Sequence, residues 1–224
     1  MYIMNEIRWE KPRILSVVVD NPSWIISYAQ RLTNELNLEG DNAKFCENHQ
    51  QIREGTAAFY LGCLRITPPE VLKRNKYNVV VHQSDLPRGR GFSPLTWQIL
   101  EGKNEIPVSV LEAIDEVDAG PIYYKDVMRF EGHELIDELR RVSAETSIRL
   151  CKKFLNSAEP PAASEQRGEP HFYPKRKAVD SVLDVSKSIG EQFDLLRTVD
   201  NEKYPAWFSF RGKKYKISIE KMPD

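Results

Sequence analysis

The stretch VVVHQSDLPRGRGFSP, residues 79–94, delivers a histidine at the end of a β-branched run and then turns polar, glycine-rich and basic. An imidazole such as that of His82 can move a proton near neutral pH and can donate to negative charge as it develops. Arg88 and Arg90 sit in the PRGRG segment, where glycine frees the backbone and guanidinium groups suit bidentate contact with phosphate or carboxylate. Further along, DEVDAGPI places Asp118 two positions before Gly120, a carboxylate beside a residue that lets backbones approach closely. A carboxylate next to an imidazole fixes the orientation of the ring. Either piece alone reads as an ordinary structural histidine or a solvated turn. Together, with a tryptophan-bearing helix between them, they are harder to dismiss as structural, which makes His82 and Asp118 candidates for chemistry.

The elements that must position this pair follow from periodicity. ILSVVVD, AKFC, AAFYLG and YNVVVH read as short buried strands, and YNVVVH ends on His82. A helix is expected from Asn21-Pro22-Ser23 onward with Ile25, Tyr28 and Leu32 on one face, a short one at PPEVL, and another opened by Ser93-Pro94 and closed by Gly102. Residues 106–113 and 121–130 should pair across the acidic turn. Residues 132–155 form a long amphipathic helix, with rows through Leu135, Leu139, Val142 and Thr146 and through Ile136, Ser147, Leu150 and Phe154. Strands alternating with helices imply an α/β fold, a Rossmann-like, mainly parallel sheet with flanking helices. A small C-terminal extension adds a helix around Ile189, Phe193 and Leu196 and a β-hairpin turning at Arg211-Gly212-Lys213. The expected organisation is a catalytic domain at 1–157, a Pro-rich linker or loop at 158–174, and the extension, packed on the catalytic domain, at 175–224.

The chain has 224 residues, 41% hydrophobic and 29% charged, enough for one large core with a charged surface. A net charge of −1 gives no electrostatic pull toward nucleic acid or anionic lipid. Cys46, Cys63 and Cys151 have no metal-ligand spacing and read as buried thiols. No apolar run approaches the roughly 18 residues needed to span a bilayer, and the N-terminal residues lack an apolar signal core. The expectation is a cytoplasmic protein without nucleic-acid, membrane or metal partners, a homodimer being left open.

HQSDLPRGRGFSPLTWQILEG followed by VDAGPI resembles the formyltransferase family that uses 10-formyltetrahydrofolate. His82, Ser84, Leu86, Pro87, Arg90, Gly91, Pro94, Trp97, Ile99 and Gly102 match that family's core in order, and Asp118, Gly120 and Ile122 match its later acidic element. The resemblance covers roughly residue 57 to the end. It implies that 10-formyltetrahydrofolate is the co-substrate, that His82 and Asp118 are catalytic, and that Asp115, Glu116, Val117 and Gly120 border the pterin pocket. It puts Arg90 on the acceptor's phosphate or carboxylate, with Arg88 as a helper. Asp85, where the family has leucine, either receives a substrate ammonium or faces solvent. The family's asparagine two residues before the histidine is Val80 here; Asn78, about 13 Å from His82 at ~3.3 Å per residue, is too far to replace it. Ser84, Gln83 and Asn104 are the candidate oxyanion donors, and losing one such donor costs on the order of 10²–10³ in rate. The implied acceptor is the amino group of a nucleotide-linked amino sugar, such as a UDP-4-amino-4,6-dideoxy sugar (the altrosamine of pseudaminic acid synthesis). The alternatives are glycinamide ribonucleotide, methionyl-tRNA, or a non-catalytic sugar-nucleotide or folate binder.

Overall fold

β-branched runs flanked by turn residues become the strands of the computed structural model, which describes residues 9–222. Residues 1–8, part of the segment read as lacking a signal core, lie outside the described residues. In chain order the elements are β1 (Ile14–Val18), α1 (Ile26–Leu38), β2 (Asn42–Cys46), β3 (Gly55–Tyr60), α2 (Pro69–Leu72), β4 (Asn75–His82), β5 (Arg88–Gly91), α3 (Pro94–Leu100), β6 (Glu105–Glu112), β7 (Ile122–Arg129), α4 (Ile136–Leu155), β8 (His171–Tyr173), α5 (Phe193–Thr198), β9 (Ala206–Phe210) and β10 (Lys213–Ile217). Six strands form the main sheet in the order β2-β1-β3-β4-β6-β7. The first four are parallel, β6 runs antiparallel to β4, and β7 antiparallel to β6. This is the Rossmann-like architecture expected from the alternation of strands and helices.

Period-two alternation sorts each strand between two cores. Leu15, Val17, Phe59, Val79 and Val81 pack on one face against α1 and α4. Val18, Ala58 and Tyr60 face the other way, with Cys46, Ile52 and Val71. Phe154 of α4 anchors the first core, its ring edge-on to those of Trp9, Phe59, Tyr77 and Tyr123. Truncating a phenylalanine so surrounded costs about 3–5 kcal/mol. The buried side of α4 is wider than the two expected rows, taking in Ser143, Ala144, Ile148 and Cys151. At its end, a guanidinium is taken out of water with full compensation: Arg13 pairs with buried Asp41 at 2.7 Å and also donates to the Leu155 carbonyl.

The extension departs from expectation in its helix. α5 begins only at Phe193, and Ile189 is 74% exposed. Ser188 and Glu191 close a short turn there through their side chains instead. The β9–β10 hairpin turns at Arg211 and Gly212, both at positive φ, with Lys213 already in β10. Leu183, Leu196, Val199 and Ala206 form a small separate core. Arg197, 1% exposed, joins this piece to the sheet by donating to Asn104 Oδ1 at 2.7 Å and to Asp194 at 2.6 Å. The segment expected as a linker contains β8, which pairs in parallel with β5. Among the described residues, no helix is long and apolar enough to cross a membrane.

Candidate active site

His82 closes β4 on the face that also carries Val80, and it is 7% exposed. Its Nε2 donates to the Gly89 carbonyl at 2.7 Å, while Nδ1 lies 3.4 Å from Asp118 Oδ1. Both ring nitrogens thus face oxygen acceptors. The other carboxylate oxygen of Asp118 accepts the Gly91 N–H at 2.8 Å.

Asp118 reaches His82 by a detour. Because β6 runs against β4, Glu112 lies opposite Val79, and the loop 113–121 must double back along the sheet to meet the strand end. Asp118 stands at φ +49° within that loop, a left-handed conformation in which aspartate is enriched among non-glycine residues. The return needs Gly120, since a Cβ there would fall 1.8 Å from the Glu112 carbonyl oxygen. Gly91 is equally constrained, at φ +96° with the Tyr173 carbonyl 2.6 Å from where a Cβ would sit.

The pair lies on the wall of a cleft of about 500 Å³. Its lining includes Gln83, Phe92, Leu95, Ile114 and Val117 and the 61–67 loop, and the C-terminal extension contributes Lys175, Arg176 and Lys177. Burial lowers the Arg176 guanidinium and pushes the Cys63 thiol up to about 12, which leaves that thiol protonated and unreactive. Burial also raises the Glu112 carboxyl on the cleft wall, opposed by hydrogen bonds from Tyr123 and Asn78. Among the described residues no three His, Cys, Asp or Glu side chains cluster as a metal site.

The residues singled out from sequence divide sharply. His82, Asp118, Glu116, Val117 and Gln83 line the cleft, whereas Asp115 does not and Gly120 is buried beneath Glu112. Ser84 Oγ is buried beside Gly89 with no hydrogen-bond partner among the described residues. Asn104 is not near His82. It lies before the far end of β6, where Arg197 holds its side chain, so it cannot serve as an oxyanion donor. Asp85 pairs with Lys125 rather than facing a substrate amine. Arg88 is exposed and is no part of the cleft wall. Arg90 is 8% exposed, and its guanidinium is occupied by Glu116 at 3.0 Å and Gln166 at 2.8 Å, so it braces the acidic loop instead of meeting an acceptor. Asn78 is engaged as expected of a residue too distant to help, bonded to Tyr60, Leu72 and Glu112. Sequence reasoning missed Gln166 and the cationic Lys175–Lys177 segment; no local pattern marks the first, but the KRK run was visible for the second.

A formyl transferase family model matches residues 21–151, more than half of the chain. The chain belongs to the formyl transferase family. This formyl transferase is 32% identical over 158 residues to a methionyl-tRNA formyltransferase of Sulfurihydrogenibium sp., covering 68% of this chain and 50% of that one. It spans about half the length of the curated relatives it matches. Since those relatives are named for a tRNA, near-zero net charge is no ground for excluding a nucleic-acid partner. Among solved structures, its fold is similar to methionyl-tRNA formyltransferase from Clostridium thermocellum (TM-score 0.76, 23% identity, 94% of this chain and 93% of that one). It is also similar to a 4-N formyltransferase from Francisella tularensis (0.69, 15%, 95% and 99%). A third is HypX from Aquifex aeolicus in complex with tetrahydrofolic acid (0.71, 17%, 93% and 38%).

Proposed function

We propose that this protein transfers a formyl group from 10-formyltetrahydrofolate to the amino group of a nucleotide-linked amino sugar. The observation that carries the reading is the 3.4 Å approach of His82 Nδ1 to Asp118 Oδ1 on the cleft wall. The residues suit the folate: Phe92, Leu95, Ile114 and Val117 give the cleft apolar lining for a heterocycle. When bound, the folate supplies the formyl carbon. His82 would serve the formyl oxygen by exchanging its Nε2 bond to the Gly89 carbonyl for one to that oxygen, while Asp118 orients the ring through Nδ1. As the amine nitrogen bonds to the formyl carbon and the formyl C–N10 bond breaks, the carboxylate–imidazole pair can take the amine's proton and return one to N10 of the departing tetrahydrofolate. Val80 in place of a polar donor leaves Gln83 as the cleft-lining amide nearest in sequence to His82.

The acceptor is assigned from Lys175, Arg176 and Lys177, which bring cations to a cleft of small-molecule size. The likeness in fold extends over nearly the full length of both the Francisella 4-N formyltransferase and the Clostridium methionyl-tRNA formyltransferase, so it does not separate the acceptors. A methionyl-tRNA acceptor is the second reading, favoured by the names of the curated relatives. Incubating the protein and 10-formyltetrahydrofolate with a panel of amino-sugar nucleotides, and separately with methionyl-tRNA, decides between them. Mass spectrometry should find one added formyl group on a UDP- or TDP-linked 4-amino sugar. Formylation of methionyl-tRNA alone would overturn the sugar assignment, and tight folate binding without turnover on any amine would overturn the enzyme.

A further inference from the structure

We infer that Gln166 is a positioning residue for the His82–Asp118 pair, acting from a strap, residues 164–174, that lies beyond the part of the chain the family model covers. The inference rests on reading that pair as the formyl-transfer site. Asp118 occupies a left-handed conformation, and such backbone persists only where its surroundings over-determine it. Both carboxylate oxygens of Asp118 are engaged, one facing His82 and one accepting from Gly91 N. What holds its backbone is the Gln166 amide, whose Nε2 donates to the Asp118 carbonyl at 2.7 Å and to the Gly120 carbonyl at 2.9 Å.

The same side chain reaches the other half of the site. Gln166 Oε1 accepts from Arg90 Nη2 at 2.8 Å and from Arg90 Nε at 3.3 Å. Arg90 belongs to β5, and β5 supplies both the Gly89 carbonyl that meets His82 Nε2 and the Gly91 N–H that meets Asp118. One amide therefore ties the loop that carries the carboxylate to the strand that orients the imidazole. The task needs two donors and an acceptor on one planar group, which an amide has and a carboxylate lacks. The strap is itself fixed on both sides of Gln166. Ser164 exchanges two backbone bonds with Ile122, His171 N donates to the Pro87 carbonyl, Phe92 N to the Tyr173 carbonyl, and Trp97 Nε1 to the Pro174 carbonyl.

Gln166→Glu separates positioning from bulk stability, because it keeps an acceptor for Arg90 and removes both donors to the 118–120 turn. The test compares Gln166→Glu, Gln166→Leu, Asp118→Asn and, as a surface control, Glu165→Gln. The first readout is the NMR resonances of the His82 ring in the protein alone. Both Gln166 variants should move these resonances in the direction Asp118→Asn moves them, and Glu165→Gln should not. The second readout is formyl transfer across pH together with Tm. Gln166→Glu should lower kcat about 10- to 100-fold at neutral pH, with each KM changed by less than about threefold. That loss should ease as pH falls and the new carboxyl, once protonated, regains one donor. Unmoved ring resonances in Gln166→Leu, or a Gln166→Glu enzyme that loses Tm but keeps the wild-type kcat and pH profile, would overturn the inference. If the resonances move as expected while wild-type protein formylates no amine, the formyl-transfer reading fails and the positioning role stands.

Discussion

Replacing Asp118 by asparagine isolates the charge of the pair from its architecture. Asparagine tolerates the left-handed backbone that Asp118 adopts and keeps an oxygen to accept the Gly91 N–H, so the loop should hold its shape. What disappears is a negative charge 3.4 Å from His82 Nδ1, between side chains 9% and 15% exposed. For an imidazolium that forms during transfer, Coulomb attraction at that separation is about 5 kcal/mol at an effective dielectric near 20. Residual solvent at Asp118 screens part of it, and a loss of roughly 3 kcal/mol, about 10²-fold in kcat, is expected. Asp118→Ala should do this and more, because alanine at φ +49° carries about 1–2 kcal/mol of backbone strain that asparagine largely avoids. The assay is release of tetrahydrofolate from 10-formyltetrahydrofolate in the presence of the accepted amine, alongside Tm for each variant. An Asp118→Asn enzyme within threefold of wild type at unchanged Tm would refute the charge argument. Asp118→Asn and Asp118→Ala proteins with equal Tm would refute the conformational one.

Arg197→Met should cost about 3 kcal/mol by urea denaturation, since it strips a buried guanidinium from Asn104 and Asp194 and leaves their oxygens without that donor; an unchanged midpoint would show that the extension docks by other means. Gly120→Ala forces the loop off the Glu112 carbonyl and is expected to cost about 1–3 kcal/mol and to lower transfer with it. Burial raises the Glu112 carboxyl above its ordinary 4.5. The folded state therefore binds this proton more tightly than the unfolded one, and stability falls as pH rises from below 4.5 through the folded value. Glu112→Gln should remove that part of the slope, so that wild type loses ground to the variant between about pH 4 and pH 7, as urea midpoints at the two pH values will register.

Where chemistry is local, the chain is readable. The β-branched run before His82 predicts a strand that ends on the imidazole, and Arg211-Gly212 predicts the hairpin, because each depends on a handful of neighbouring residues. The His82–Asp118 meeting was legible through motif order, although nothing local reveals that the loop must fold back along an antiparallel strand to achieve it. Side chains whose role depends on a distant partner were misread. Arg90 in a glycine-rich loop has the chemistry of an anion contact, and only the arrival of Gln166, 76 positions away, shows that it is occupied. Asn104 and Arg197 are separated by 93 positions. β5 and β8 are too short to show alternation, and they pair across a Pro-rich stretch whose composition reads as a spacer.

That last pairing bears on how the protein is made. A nascent chain that has emerged through α4 already holds every strand of the main sheet, yet β8 has not paired with β5 and Gln166 has not reached the turn around Asp118. The core of the main sheet can thus form before Gln166 and β8 arrive to brace the reacting groups. A chain that ends short of Gln166 holds His82 and Asp118 without the amide that braces them, so its activity should fall further than its solubility.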